Sequence, residues 1–312
     1  GHSGWQTAAQ AATALRLPSR MAVQKAVKKT IPAPRPHWVG DGFNVYPVFD
    51  RLAFTNELSP WLMFDYAAPK HFPATKKQLG VGQHPHRGME TVTIAWQGEV
   101  EHGDSMGNRD VIKAGDVQWM TAGRGIVHEE FHSREFAARG GTLEMCQLWV
   151  NLPRASKMVP PRYQPILAAS IPEVELSGGA GSARVIAGAL GAATGPAKTY
   201  SPLELFDVKL AEEKEAEIPI PEGHTAIVFV RAGAVRVAGT SAASVVEAQG
   251  VALLGHEGSA VQLVALKPET QVLIMAGEPI DEPIAARGPF VMNTQEELMQ
   301  AQMDFMSGRM GT

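Results

Sequence analysis

Short apolar runs alternate with glycine- and proline-rich turns along most of the chain. The runs are rich in Val, Ile, Phe and Trp and recur at 43–49, 62–66, 91–96, 117–120 and 143–149, and again between 203 and 276. Short apolar runs at near-regular intervals are typical of strands in a β-sandwich or barrel. The pattern therefore predicts an all-β, mainly β protein.

Helical spacing is found near the C-terminus. The residues Thr294-Gln295-Glu296-Glu297 fit a capping box, with Thr294 as the N-cap and Glu297 three positions later. Leu298 and Phe305 follow at helical spacing, and Gly308 is placed to end the helix. The sequence predicts a short C-terminal α-helix.

The length and composition indicate two domains. The chain has 312 residues, 45% of them hydrophobic, with 31 Gly and 22 Pro. This length is long for one domain and allows two domains with sizeable cores. We predict an N-terminal arm, a first domain, a connecting segment, a second domain, and a helix with its tail, at residues 1–30, 31–153, 154–200, 201–288 and 289–312.

The predicted arm is basic and rich in alanine. The first acidic residue of the chain is Asp41, and Gly1-His2-Ser3 resembles a cloning scar. A basic, acid-free segment is similar in composition to a transit peptide. We expect residues 1–30 to form a flexible or peripheral arm rather than part of either domain.

Charge and cysteine content exclude several classes of protein. A net charge of −4 and a pI near 6.2 give no support to charge-driven binding of nucleic acid. We find no run of about 18 apolar residues, so no membrane-spanning helix is predicted. Cys146 is the single cysteine, which rules out a disulfide within the chain and fits a reducing compartment. We expect a cytoplasmic protein.

Two pairs of potential metal ligands lie in predicted strands about forty residues apart. His84 and His86 form one pair, and His128 and Glu130 form the other. Side chains two positions apart share one face of a strand, so each pair can point into the same cavity. Two such pairs make a four-ligand nitrogen and oxygen site. This set suits Fe, Mn, Co, Ni, Cu or Zn, and the lack of thiolate argues against a structural zinc site.

The residues around these pairs resemble the signature of the pirin family. The resemblance is carried by His84-Pro85-His86-Arg87-Gly88, by 115–126 with His128 and Glu130, and by Gly288–Glu297. It implies a bicupin with two tandem cupin β-barrels. The first barrel would hold one mononuclear iron site, with Fe(II) as the expected form. The implied ligands are His84, His86, His128 and Glu130. General cupins instead use a glutamate at the position of Glu90, and strand parity also allows Glu90 to face the cavity.

Other polar residues near the two pairs are not predicted to bind the metal. Glu101, His102 and Asp104 lie between Gly98 and Gly107, so we expect a solvated hairpin there. His132 has the same parity as His128, but we expect the strand to have ended before it. We therefore predict that His132 is a surface residue.

The resemblance implies two alternative functions. One is a quercetin 2,3-dioxygenase, which opens the central ring of a flavonol with molecular oxygen, and here Glu130 is the candidate base. The other is a non-enzymatic regulator that senses iron or redox state and binds a protein partner, either a transcription factor or a metabolic enzyme.

Overall fold

The computed structural model describes residues 22–238 and 244–311. Strands make up 52% and helices 11% of the structure, which confirms the predicted mainly β fold. Among the described residues, no helix is long and apolar enough to cross a membrane. The predicted arm lies mostly outside the described residues, which begin at residue 22.

The first half of the chain forms twelve strands in the described range and one α-helix. In chain order they are β1 (Val27–Ile31), β2 (His37–Val39), β3 (Phe43–Pro47), β4 (Trp61–Phe72), β5 (Gly80–His86), β6 (Met89–Gln97), β7 (Glu99–Asp104), β8 (Arg109–Lys113), β9 (Val117–Thr121), β10 (Ile126–His132), α1 (Arg134–Arg139), β11 (Gly141–Asn151) and β12 (Arg162–Ile166). Short 3₁₀ turns cover Asp50–Leu52, Asn56–Leu58 and Arg154–Ser156.

The second half adds fourteen strands among the described residues and the C-terminal helix. They are β13 (Glu173–Glu175), β14 (Gly181–Ala187), β15 (Ala189–Leu190), β16 (Ala193–Thr194), β17 (Leu203–Leu210), β18 (Glu215–Pro219), β19 (Thr225–Ala232), β20 (Ala234–Val237), β21 (Ser244–Glu247), β22 (Val251–Leu254), β23 (Ala260–Ala265), β24 (Gln271–Gly277), β25 (Ala285–Arg287), β26 (Phe290–Met292) and α2 (Gln295–Met306). Two further 3₁₀ turns cover Ala168–Ser170 and Ser177–Gly179.

Each domain contains a large and a small antiparallel sheet. Over the described ranges, the first domain has a seven-stranded sheet in the order β12-β9-β6-β11-β4-β3-β2 and a four-stranded sheet in the order β5-β10-β7-β8. The second domain repeats this plan with β1-β22-β19-β24-β17-β14-β13 and β18-β23-β20-β21. The two sheets of a domain remain separate rather than closing into one barrel.

The two large sheets share one hydrophobic core. Phe64 and Trp119 of the first domain belong to the same buried cluster as Phe229 and Met275 of the second. The rings of Phe64 and Phe229 lie 4.7 Å apart. Each large sheet is therefore covered on both faces, which explains why its strands are apolar almost throughout.

Part of the predicted arm belongs to the second domain. Strand β1 pairs antiparallel with β22, so Val27–Ile31 completes the edge of the second large sheet. Just before it, the buried ammonium group of Lys25 donates to the carbonyl oxygens of His224 at 3.1 Å and His256 at 2.9 Å. Residues 25–30 thus lie at the periphery of the second domain, where β1 pairs with β22, and do not form a flexible arm.

The predicted connecting segment also contributes to both domains. Strand β12 pairs with β9 at the edge of the first large sheet, and β14 pairs with β17 in the second. Residues 154–200 thus carry sheet edges of both domains instead of forming a separate linker.

The C-terminal helix returns to the first domain. Thr294 and Glu297 form the predicted capping box, in which each side chain bonds the backbone of the other residue. Asp304 on α2 accepts a hydrogen bond from Arg87 at 2.9 Å, next to the candidate ligand His86. This contact places the helix at the rim of the candidate site.

Candidate metal centre

Neighbouring strands of the first small sheet bring three of the predicted ligands together. His84 on β5 pairs directly with His128 on β10, and His86 lies two residues further along β5. His86 and His128 are buried, each 1% exposed, whereas His84 is half-buried. Alternation along a strand places His84 and His86 on one face, as predicted from their spacing.

The three imidazoles form a compact group of potential ligands. One ring nitrogen from each of His84, His86 and His128 lies within 4.8 Å of the others. The ring centroids are 4.3 Å apart for His84 and His128, and 4.8 Å apart for His86 and His128. One metal ion can contact three nitrogens spaced in this way.

The protonation of these rings suits metal binding. Burial, with a smaller contribution from His84, lowers the pKa of His86 to about 3. Burial and the neighbouring histidines also lower the pKa of His128 well below its ordinary value. Both rings are therefore neutral at pH 7, and neutral imidazole is the form that binds metal.

Unpaired nitrogen atoms provide an independent test of fit. Both ring nitrogens of His86 and Nε2 of His128 are buried without a hydrogen-bond partner among the residues that the structure describes. Buried polar atoms are rarely left unpaired, because losing water without replacement costs free energy. A metal ion would satisfy one nitrogen of His86 and Nε2 of His128, so the residues present fit such a group.

Glu130 lies beside the three histidines but outside their compact group. Its carboxylate accepts hydrogen bonds from Gln147 at 2.7 Å and Thr93 at 3.3 Å, and both partners lie on the opposite, large sheet. The pairing of β10 with β5 shifts register between His128 and Glu130, because β5 has one more residue than β10 in this interval. Glu130 still lines the same pocket as His84.

Glu90 points away from the histidines. It lies on β6 of the large sheet, and its neighbours of the same parity, Val92 and Ile94, belong to the core shared between the domains. Thr121 donates to its carboxylate at 2.6 Å. The parity argument that allowed Glu90 to face the cavity is wrong because β5 and β6 belong to different sheets, joined through a turn at Gly88.

The buried Glu90 carboxyl predicts an unusual response to pH. Burial raises its pKa from 4.5 to about 7. Between these values the folded protein holds a proton that the unfolded chain has lost, so the free energy of unfolding falls as pH rises. We expect Glu90→Gln to be more stable than the wild type at pH 8, by about 1–3 kcal/mol, and to differ less at pH 5.

Chemical denaturation at the two pH values would measure this difference. Glu247→Gln is the control, because that carboxylate is exposed and paired with Lys267 at the surface. If the stability gain of Glu90→Gln over the wild type were no larger at pH 8 than at pH 5, the raised pKa of Glu90 would not be its cause.

His102 and Asp104 are buried rather than solvated. Both side chains are 0% exposed, and His102 Nε2 lies 2.9 Å from Asp104 Oδ2. Burial alone would raise the pKa of Asp104, but hydrogen bonds from His102 and Asn108 outweigh it and lower the pKa. Strands β7 and β8 do form a hairpin, but the prediction that His102 and Asp104 are solvated is wrong, because β7 is an inner strand between β10 and β8.

His132 is also buried, contrary to the prediction. It is 1% exposed because β10 continues through it, and its Nε2 lies 2.8 Å from the carbonyl oxygen of Gly42. The rings of Phe72 and Phe136 pack edge-on against it at 4.7 and 5.3 Å. His132 is thus a core residue outside the metal group.

A pocket opens onto the candidate centre between the two sheets. The cavity itself has a volume of about 50 Å³, and the space including its open mouth is about 410 Å³. Its walls are mostly apolar, and its polar residues include His84 and Glu130; the lining residues are Val39, Phe43, Val45, Asp65, Val81, His84, Glu130, Met145 and Gln147. The pocket holds two carboxyl groups, those of Asp65 and Glu130, together with the imidazole of His84. Burial raises the pKa of Asp65 to about 6.

Family models match both domains of this structure. The pirin model matches residues 42–150, and the model of the pirin C-terminal cupin domain matches residues 205–311. This chain belongs to the pirin family. The predicted resemblance is confirmed, and the two-sheet domains are cupin domains.

Other pirin-family proteins are similar over most of their length. A crystal structure of quercetin 2,3-dioxygenase from Acinetobacter baumannii is 50% identical, with a TM-score of 0.87, covering 93% of this chain and 99% of that one. A Pseudomonas aeruginosa protein with the provisional name quercetin 2,3-dioxygenase is 51% identical over 88% of this chain and 94% of its own. Mouse pirin is 39% identical over 81% of this chain and 83% of its own.

Proposed function

We propose that this protein is a metal-dependent dioxygenase of the quercetin 2,3-dioxygenase type that acts on flavonol-like substrates. The observation that carries the proposal is the apolar pocket that opens onto His84 and Glu130. A site for a flat aromatic substrate needs apolar walls with a few polar groups placed beside the reacting atoms. The 50% identity to the Acinetobacter baumannii quercetin 2,3-dioxygenase supports the same assignment.

The proposed cofactor is one mononuclear divalent metal. Fe(II) is our first candidate, and the same nitrogen and oxygen ligands also suit Mn, Co, Ni, Cu or Zn. His84, His86 and His128 would supply three nitrogens, and Glu130 the fourth ligand after its carboxylate turns away from Gln147. A bound metal would supply Lewis acidity that lowers the pKa of a substrate hydroxyl.

The protein residues would orient the substrate and accept its proton. The apolar walls, including Phe43 and Met145, would exclude water and bury the aromatic rings. Glu130 is the proposed base for the hydroxyl nearest the imidazoles, because its carboxylate lines the pocket. Without metal, hydrogen bonds from Gln147 and Thr93 hold that carboxylate at the pocket wall.

The two roles of Glu130 lead to a prediction that separates it from Glu90. We expect Glu130→Gln to bind metal about 10-fold more weakly, because a neutral amide is a poorer ligand for a divalent ion than a carboxylate. Glu90→Gln should retain nearly full metal content. Titration of both metal-free variants with the metal would compare them, and the reverse order would indicate that Glu90 is the ligand.

Oxygen uptake tests the enzymatic proposal. Purified protein of known metal content would be given quercetin, and consumption of oxygen and release of carbon monoxide would be followed together. We expect substrate-dependent uptake by the wild type and none by a metal-free sample. Full metal content without turnover of quercetin would contradict the proposal.

One contact supports a second candidate function, in which the metal site regulates a protein partner. Arg87 directly follows His86 and is paired with Asp304 on α2 at 2.9 Å. Three methionines on that helix, Met299, Met303 and Met306, are 53%, 52% and 78% exposed. A change of charge at the metal would act on this ion pair, and through it on an apolar surface.

A further inference from the structure

A buried pair of ionisable residues lies directly behind the candidate ligand His128. Strand β7 runs beside β10, and its side chains His102 and Asp104 are both inaccessible to solvent. They are joined by a contact of 2.9 Å between His102 Nε2 and Asp104 Oδ2. Burying such a pair is costly, so its arrangement calls for an explanation.

The surroundings of Asp104 decide which nitrogen of His102 carries the proton. Asp104 Oδ1 accepts hydrogen bonds from the backbone N–H groups of Met106 at 2.9 Å and Asn108 at 3.1 Å. The side-chain amide of Asn108 donates to both carboxylate oxygens. A carboxylate surrounded by donors is ionised and only accepts, so His102 Nε2 must carry the proton.

In a neutral His102 ring with its proton on Nε2, the second nitrogen is an acceptor. His102 Nδ1 lies 3.2 Å from the side-chain nitrogen of Gln118 and 3.5 Å from Nδ1 of His128. An acceptor at His102 Nδ1 requires that Gln118 presents its amide nitrogen to it. The hydroxyl of Tyr163 lies 3.2 Å from the Asp110 carboxylate and 3.4 Å from the oxygen of Gln118, so it does not decide the orientation of this amide. Gln118 is the nearer donor to His102 Nδ1, and two unprotonated nitrogens facing each other at 3.5 Å would repel, so we infer that His128 carries its proton on Nδ1.

We propose that Asp104 and His102 are positioning residues that select the tautomer of His128 whose Nε2 lone pair faces the metal. His128 Nε2 is the buried nitrogen without a hydrogen-bond partner among the described residues. His84 is held similarly, because its Nδ1 lies 2.9 Å from the carbonyl oxygen of Gly82. Metal-binding histidines commonly donate their other N–H to such a partner, which fixes the ring and its tautomer.

This inference rests on the proposed metal site, but it can be tested separately. Long-range ¹H–¹⁵N correlation spectra identify the protonated nitrogen of each histidine ring in the wild type. We expect protons on Nε2 of His102 and Nδ1 of His128, in the metal-free protein and in the protein loaded with Zn(II). A proton on Nδ1 of His102, or Zn(II) bound through Nδ1 of His128, would overturn the inference. Failure to bind any metal would instead contradict the proposed function, and the tautomers of the metal-free protein would still be decisive.

The variant Asp104→Asn tests the effect on affinity. The asparagine oxygen can still accept from Met106 and Asn108, but its NH₂ group would face His102 Nε2. The proton of His102 would then move to Nδ1 and oppose the N–H of His128. We expect Zn(II) binding to weaken about 10- to 100-fold, as for other partners of metal-binding histidines.

The control is Asn108→Ala, which removes bonds to Asp104 from the same hairpin but leaves the carboxylate facing His102. We expect this variant to keep its Zn(II) affinity within about threefold of the wild type. Asn108 contacts Asp104, so its loss should leave the tautomers of His102 and His128 unchanged. An unchanged affinity in Asp104→Asn would overturn the inference, as would an equal loss in Asn108→Ala, which would assign the effect to the hairpin.

Discussion

Replacing His84 by alanine is expected to abolish stoichiometric metal binding while the protein remains folded. The side chain is half-buried, so its loss leaves little empty volume in the core. Its ring is nevertheless one of three whose nitrogens lie within 4.8 Å of one another. Losing one of the proposed ligands should cost about 3 kcal/mol, or about 100-fold in affinity. Elemental analysis after dialysis would measure the loss, and circular dichroism would check the fold.

His132→Ala is the matched control for that variant. His132 points inward from the same strand as His128, but it is bonded to the Gly42 carbonyl and packed among phenylalanines. We expect this variant to lose stability and keep its metal, the opposite of His84→Ala. Retention of one metal per chain by His84→Ala would contradict the assigned centre.

Replacing Arg231 by methionine is expected to cause a large loss of stability. Arg231 of the second domain donates to Glu144 of the first at 2.7 Å, and both side chains are almost fully buried. Its guanidinium also lies 4.5 Å above the ring of Trp96. Removing it leaves the carboxylate buried at the domain interface, where the loss of one partner of a buried ion pair typically costs about 3–5 kcal/mol. The bonds that Glu144 keeps, from Tyr66 and Gln97, place our expectation near the lower value, about 3 kcal/mol.

Chemical denaturation would measure the loss against a surface ion pair. Lys267 and Glu247 lie 2.7 Å apart, and their side chains are 54% and 65% exposed. Exposed pairs contribute little because water and salt screen them, so Lys267→Met should leave the denaturation midpoint unchanged. A midpoint for Arg231→Met equal to that of Lys267→Met would show that the interface does not depend on the buried pair.

The sequence predicted that His84 and His86 share one face because their signal is local. Two residues on one strand face share a direction whatever the rest of the fold does, so His84 and His86 were paired from their spacing alone. Glu130 lies on β10 and lines the pocket, but its position relative to His84 depends on the irregular pairing of β10 with β5. Such a register shift leaves no pattern within either strand.

Some of the features that the sequence analysis missed had a local signal, and others depend on contacts between distant segments. His102 and Asp104 lie on a six-residue strand between two turn glycines, a length that was a usable signal for β7. The pairing of β1 with β22, in contrast, joins segments more than two hundred residues apart and has no local signature. The direction of Glu90 likewise depends on which sheet β6 joins, so strand parity carried across Gly88 was misleading.

The most direct test of the metal centre is anomalous diffraction from crystals of the iron-loaded protein. We predict one iron peak in the first domain, roughly 2.0–2.2 Å from ring nitrogens of His84, His86 and His128 and from a carboxylate oxygen of Glu130. The Glu130 carboxylate would then have left the position in which Gln147 now donates to it. A peak bound elsewhere, or coordination by Glu90 in place of Glu130, would contradict the account.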